Sequence, residues 1–183
     1  MDIRPLRESI DFEYRAANLV TEPIPFDDRH FGSVSAFDFI EHVPRVLPTT
    51  DGRSTYFPFI RLMNEVWRVL APGGLFYALT PTWPNPEVFV DPTHVNVITD
   101  RTHEYFCGEN PLGRMYGFEG VFVARRAMWV RQQDAFSASP VVPHVSAHRR
   151  VAHRVRDLVR QLRGRPPAGE RLIYFLWELE AVK

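Results

Sequence analysis

Residues Ser33 to Arg45 read SVSAFDFIEHVPR, and this stretch contains the transition that decides the fold. The apolar run within residues 34–39 predicts a buried β-strand. At its carboxyl end the chain places Asp38, Glu41 and His42 within five positions. Because ligands of open α/β sheets bind at the carboxyl ends of the strands, the stretch predicts a strand that leads into a functional site.

The segments around this strand alternate between strand-like and helix-like patterns. Proline and glycine positions and the spacing of apolar residues predict strands over residues 11–19, 33–40, 74–81, 117–132 and 170–183. The same signals predict helices over residues 54–74, 99–106 and 147–165. Residues 81–96, a proline-rich and aromatic segment, predict an ordered pocket wall or lid. Strands alternating with helices indicate a single α/β domain, residues 1–183, with a mostly parallel sheet.

Composition restricts the classes of partner. The 22 Lys and Arg residues balance the 22 Asp and Glu residues, so no global field attracts the chain to DNA. One cysteine, Cys107, fits a reducing compartment. The first residues lack the apolar core of a signal peptide. We therefore expect a cytoplasmic protein, whose oligomeric state the sequence leaves open.

A second polar cluster, Pro92-Thr93-His94, follows the strand predicted at residues 74–81. If this strand lies beside the strand at residues 33–40, His94 folds back over Glu41 and His42. Two carboxylates and two imidazoles, from Asp38, Glu41, His42 and His94, are a ligand set for a divalent metal such as Mn²⁺, or Mg²⁺ with waters completing its shell. The alternative for the carboxylates is a helix cap or a solvated loop charge.

Three blocks together resemble the second half of a class I S-adenosylmethionine-dependent methyltransferase of the type 11 kind: PIPFDDRHFGSVSAFDFIEHVPR, LMNEVWRVLAPGGLFYALTP and DPTHVNVITDRTHEYF. The resemblance implies a Rossmann-like α/β sheet, mostly parallel with a C-terminal antiparallel hairpin, and S-adenosylmethionine as cofactor. By position in the family's blocks, it assigns cofactor contacts to Asp2, Asn18, Leu19, Phe37 and Asp38.

The Asp38, Glu41 and His42 spacing is also similar to that of the 2′-O-methyltransferases of small RNA 3′ ends. That similarity implies a metal, Mg²⁺ or Mn²⁺, held by Asp38, Glu41, His42 and His94. Without metal, His42 or His94 is the expected general base, with Glu41 beside them. Related enzymes of polysaccharide synthesis suggest a hydroxyl on a sugar, a cell-surface glycan or a similar small acceptor.

One family element is not found in residues 1–183: the glycine-rich turn after the first strand, which lets the backbone approach the cofactor. We expect from this that the domain is N-terminally incomplete and lacks its first strand. The alternative is a non-catalytic remnant that serves as a binding or scaffold module.

The segment from Arg149 to Arg165 contains seven arginines and one acidic residue. Its valines and leucines recur at helical spacing, which predicts an amphipathic helix. The arginines either form a solvated face or contact an anionic surface, and we expect peripheral contact with the inner membrane surface.

Overall fold

A computed structural model of the protein describes residues 12–132, 135 and 173–183. The expected cofactor residue Asp2 and the basic segment Arg149 to Arg165 lie outside the described residues. Among the helices within those ranges, none combines the length and the apolar character needed to cross a membrane.

The described chain forms six strands, one α-helix and four short 3₁₀ helices. The strands are β1 (Phe31–Phe37), β2 (Leu47–Pro48), β3 (Thr55–Tyr56), β4 (Leu70–Pro81), β5 (Phe122–Val130) and β6 (Tyr174–Ala181). The α-helix, α1, spans Pro58–Val69. The 3₁₀ helices are η1 (Ile40–His42), η2 (Pro86–Phe89), η3 (Thr102–Phe106) and η4 (Leu112–Tyr116).

The main sheet has four strands in the order β1-β4-β6-β5. β1 pairs with β4 in parallel, with Val34 opposite Phe76 and Ala36 opposite Ala78. β6 runs antiparallel to both of its neighbours, so β1, β4 and β5 share one direction. The predicted mixed sheet with a C-terminal antiparallel pair is confirmed. β2 and β3 form a separate two-stranded hairpin.

Helix α1 covers one face of this sheet. Its residues Leu62, Met63, Val66 and Val69 are buried, at the spacing of an amphipathic helix. They pack in one cluster with side chains of the sheet that include Phe76, Ala78, Trp177 and Leu179. The helix begins at Pro58, since proline is tolerated in a first turn, and its last residue is Val69.

The strand predicted at residues 11–19 is wrong for the residues described there. Residues 12–18 form no strand and lead into a turn in which the Asn18 carbonyl accepts hydrogen bonds from the Thr21 and Glu22 amides at 2.9 and 2.7 Å. A strand needs a neighbour, and the described sheet places none beside this segment.

Other boundaries also differ from the sequence prediction. The helix predicted at residues 54–74 is α1, which spans Pro58–Val69, and the strand predicted at residues 74–81 is β4, which begins at Leu70. The helix predicted at residues 99–106 is the 3₁₀ helix η3, which begins at Thr102. The strand predicted at residues 117–132 begins only at Phe122. The preceding Gly117 has a φ of 88°, a left-handed conformation that ends η4.

Candidate active site

Pairing of β1 with β4 brings the two polar clusters to one edge of the sheet. Immediately after β1 the backbone turns at Asp38, whose φ is 45°. The Asp38 amide donates to the Leu79 carbonyl at 3.0 Å, which continues the ladder by one bond. The chain then enters η1, which places Glu41 beside Thr80 at the end of β4.

Glu41 is fully buried. Its Oε2 accepts a hydrogen bond from the Thr80 hydroxyl of β4 at 2.9 Å. Its Oε1 is buried with no hydrogen-bond partner among the described residues. Burial raises the pKa of the Glu41 carboxyl, because a carboxylate loses its hydration there, and the Thr80 bond opposes this only in part. A buried oxygen without a partner is costly, so Oε1 is a natural ligand atom.

The tautomer of His42 follows from its neighbours. Its Nδ1 lies 3.2 Å from the Thr93 carbonyl and 3.0 Å from the Thr93 hydroxyl. That hydroxyl donates to Asp91 Oδ1 at 2.6 Å, so towards His42 it acts as an acceptor. Nδ1 of His42 therefore carries the proton, and the lone pair of the neutral ring is on Nε2. The Thr93 hydroxyl bond also holds the pKa of Asp91 below its usual value.

His94 is fixed in the same way. Its Nδ1 donates to the Val88 carbonyl at 2.7 Å, which leaves the lone pair on Nε2. Its ring meets that of His42 edge to face, with centroids 4.7 Å apart. An imidazole oriented by a carbonyl on one nitrogen, with its lone pair on the other, is the arrangement of metal-binding and proton-accepting histidines. The Nε2 of His94 lies 3.8 Å from Asp91 Oδ2.

Glu41, His42 and His94 thus form one group. One potential ligand atom of each lies within 4.8 Å of the others. The predicted approach of His94 to Glu41 and His42 is found in the structure. Asp38, predicted beside them, does not belong to the group. Its side chain instead hydrogen-bonds with Tyr174 of β6, whose pKa is raised to about 12 by burial and by the Asp38 charge.

The segment predicted as a pocket wall packs directly on η1. The Asn96 amide donates to the Glu41 carbonyl at 2.9 Å, and Asn96 Nδ2 donates to the Ile40 carbonyl at 3.0 Å. Asn96 is fully buried. Arg45 Nε donates to Asn96 Oδ1 at 2.6 Å and closes this network. The network fixes the position of Glu41 from the backbone side.

The other predicted cofactor residues that the structure describes are Asn18, Leu19 and Phe37. Asn18 is in the turn after residues 12–17, where its amide donates to Glu22 Oε2 at 2.7 Å. Leu19 is half-buried against the main core. Phe37 ends β1, partly exposed, with its ring 5.9 Å from that of Tyr77.

Among the contributors to the site that were not predicted are Thr80, Asp91, Asn96, Arg45 and the Val88 carbonyl. Thr80 stands at the end of the β4 sequence, where the polar residue after an apolar strand was a usable signal. The Val88 carbonyl leaves no signal in the sequence, because any residue supplies a carbonyl.

Comparison with models of known protein families finds no match, and no curated protein matches. The chain superposes on a chain of the complex between the Trm112 methyltransferase activator and a methyltransferase of Haloferax volcanii. The TM-score is 0.51 at 13% identity, over 96% of this chain and 64% of the other. The fold is that of the class I methyltransferases.

Two more solved structures are similar to this methyltransferase fold at lower scores. One is a methyltransferase of Bacillus halodurans, with a TM-score of 0.43, 14% identity and coverage of 93% of this chain and 78% of that one. The other is an S-adenosylmethionine-dependent methyltransferase of Mesorhizobium loti, with a TM-score of 0.43, 15% identity and coverage of 94% and 72%. The chain spans less than two thirds of the Haloferax volcanii chain.

Proposed function

We propose that this chain is an S-adenosylmethionine-dependent O-methyltransferase and that the group of Glu41, His42 and His94 acts on the acceptor hydroxyl. The observation that carries the proposal is the convergence of these three side chains at the carboxyl ends of β1 and β4. In a methyltransferase fold that edge of the sheet is the ligand-binding edge.

The reaction requires a base. As the carbon–sulfur bond of the sulfonium breaks, the methyl carbon bonds to the hydroxyl oxygen, S-adenosylhomocysteine leaves, and the hydroxyl proton must be removed. The Nε2 lone pair of His42 or His94 accepts this proton, because Thr93 and Val88 hold the opposite nitrogens. Burial of Glu41 excludes water from one side of the group. The acceptor class expected from the sequence, a sugar or glycan hydroxyl, is part of the proposal.

The same residues fit a divalent metal. Glu41 Oε1 lacks a partner among the described residues, and both imidazoles are oriented by carbonyls in the manner of metal ligands. Glu41, His42 and His94 would hold the ion, and mixed nitrogen and oxygen ligation suits Mn²⁺, or Mg²⁺ with waters. Such an ion lowers the pKa of a bound hydroxyl.

Two measurements separate the role of a histidine base from that of a metal. One is calorimetric titration of the chain with Mn²⁺, and the other is a methyl-transfer assay in chelator and after metal add-back. If the metal is held, Glu41→Gln and His94→Gln each weaken Mn²⁺ binding by about tenfold or more, while Glu87→Gln, an exposed control, does not. Undiminished methyl transfer in chelator would remove the metal role and leave the histidine base.

The second candidate, a binding module without catalysis, is motivated by the glycine-rich turn not found in residues 1–183. Titration of this chain with S-adenosylhomocysteine distinguishes the two. Binding in the micromolar range supports the enzyme, and absence of binding supports the module.

Peripheral membrane contact through the segment from Arg149 to Arg165 remains a proposal from sequence. Seven arginines against one acidic residue support it. Each basic residue near an anionic surface contributes about 1 kcal/mol, so changing Arg149, Arg150, Arg154 and Arg156 to Gln should abolish salt-sensitive sedimentation with anionic vesicles. Sedimentation that is insensitive to salt would contradict the contact.

A further inference from the structure

A cavity of about 550 Å³ has a lining that does not include Glu41, His42 or His94. It is lined by the first turn of α1, by η3 and η4, and by the chain just after η1. Arg45 on its wall is three residues beyond His42 and is joined to Glu41 through Asn96. The cavity has the volume of a small-molecule site.

The walls of the cavity are aromatic on one side. Tyr116 of η4 meets Phe57 edge to face with centroids 5.3 Å apart, and it stacks with Tyr105 of η3 at 6.3 Å. Ile60 of α1 adds an aliphatic surface. A planar aromatic group is the ligand body that such walls bind best, through apolar burial and ring–ring contact.

Arg45 gives the cavity an uncompensated positive charge. Its Nε donates to Asn96 Oδ1 and its Nη2 donates to the Val97 carbonyl, both neutral acceptors. In the part of the chain that the structure describes, no ion pair includes Arg45. A guanidinium has five N–H donors, so three remain after these two bonds.

Arg101, the other cation on the wall, differs in this respect. Its Nε and Nη2 both donate to the Glu104 carboxylate, at 3.0 and 2.8 Å to Oε2. The carboxylate of Glu104 therefore already balances the charge of Arg101. Of the two, Arg45 is the partner for an incoming anion.

We propose that this cavity binds a small aromatic anion, whose ring lies against Phe57, Tyr105 and Tyr116 and whose anionic group bonds to Arg45. The assignment concerns binding and does not depend on methyl transfer.

Two fluorescent probes of nearly equal shape test the assignment. 8-Anilinonaphthalene-1-sulfonate carries the aromatic body and an anion, and N-phenyl-1-naphthylamine carries the same body without the anion. Both are titrated into the whole chain. 1-Naphthoate is then used to displace the sulfonate, with the neutral alcohol 1-naphthalenemethanol as its control.

Three variants locate the binding. Arg45→Gln removes the charge and should weaken sulfonate binding about tenfold or more, because a hydrogen bond to a charged group is lost, and leave the neutral probe unchanged. Tyr116→Ala removes a wall and should weaken both probes. Arg29→Gln, a matched arginine at the far end of β1 beside the Arg68 carbonyl, should change neither. Thermal unfolding of each variant verifies that it is folded.

The expected set of results is a sulfonate-specific loss in Arg45→Gln and displacement by 1-naphthoate but not by the alcohol. Equal losses in Arg45→Gln and Arg29→Gln would mean nonspecific attraction and would overturn the assignment. So would unchanged binding of both probes to Tyr116→Ala, or no binding by the parent chain.

Discussion

At the scale of single residues, Glu41 is costly to the folded state. Its carboxyl is fully buried, has a raised pKa, and leaves Oε1 without a described partner. A group of this kind is retained where it has a function, at a cost to stability. The neutral amide of Gln has almost the same shape and can keep the bond from Thr80.

We predict that Glu41→Gln raises the free energy of unfolding at neutral pH by about 1–3 kcal/mol while it impairs methyl transfer. The folded state holds the Glu41 proton more tightly than the unfolded chain, whose carboxyl has a pKa near 4.5. The carboxyl's contribution to stability therefore falls as pH rises above that value and stays low beyond the folded pKa. The stability contribution of the Gln amide does not change with pH in this way. The stability gained by Glu41→Gln should therefore shrink as pH is lowered towards 4.5.

Denaturant unfolding of both proteins between pH 5 and 8, in chelator, measures this difference. Glu87→Gln is the control, since Glu87 is exposed and should show no pH-dependent gain. A variant that is less stable than the parent at neutral pH would show that Oε1 makes a stabilising contact in solution.

At the scale of elements, the packing of α1 against the segment before β5 depends on a glycine. A Cβ at Gly120 would lie 2.7 Å from Cγ of Trp67 on α1 and 2.9 Å from Cζ of Phe118. Trp67 is itself held by a hydrogen bond from its Nε1 to the Val182 carbonyl at 3.0 Å. Neither ring is free to withdraw without disturbing the core.

We predict that Gly120→Ala lowers the free energy of unfolding by about 1–3 kcal/mol through overpacking. Gly32→Ala on β1 is the matched control, because nothing lies within 4 Å of its added Cβ. That variant should be neutral or slightly more stable, since alanine restricts the unfolded chain. Equal thermal shifts in the two variants would contradict the packing argument.

At the scale of the whole molecule, stability is unevenly distributed over the sheet. β6 pairs along its length with both β4 and β5, and its Leu176, Trp177 and Leu179 are fully buried. β1 pairs with β4 alone among the described strands. Amides of a doubly paired, buried strand open only with global unfolding, whereas those of an edge strand open locally.

We predict that amides of β6 exchange with deuterium most slowly and that those of β1 exchange faster by at least about tenfold. Native-state exchange followed by mass spectrometry of peptides from each strand measures this. Protection of β1 equal to that of β6 would indicate that the edge of β1 away from β4 is covered in solution.

The sequence by itself determined the main elements and the location of the site. Apolar spacing predicted α1, β1, β4 and β6, because a buried face imposes a local period on the residues that form it. The sequence also predicted that His94 would reach Glu41 and His42, since two parallel strands bring their carboxyl ends to one edge of the sheet.

Only the tertiary structure decided the rest. Residues 12–18 form no strand because pairing needs a neighbour, which no local pattern supplies. Asp38 leaves the group because a left-handed turn directs it to Tyr174. The Nε2 lone pairs of His42 and His94 depend on the carbonyls of Thr93 and Val88. The proposed anion-binding cavity depends on the hydrogen bonds of Arg45 to neutral acceptors. Each of these features depends on which groups meet in space, and that is fixed by the packing of segments distant in sequence.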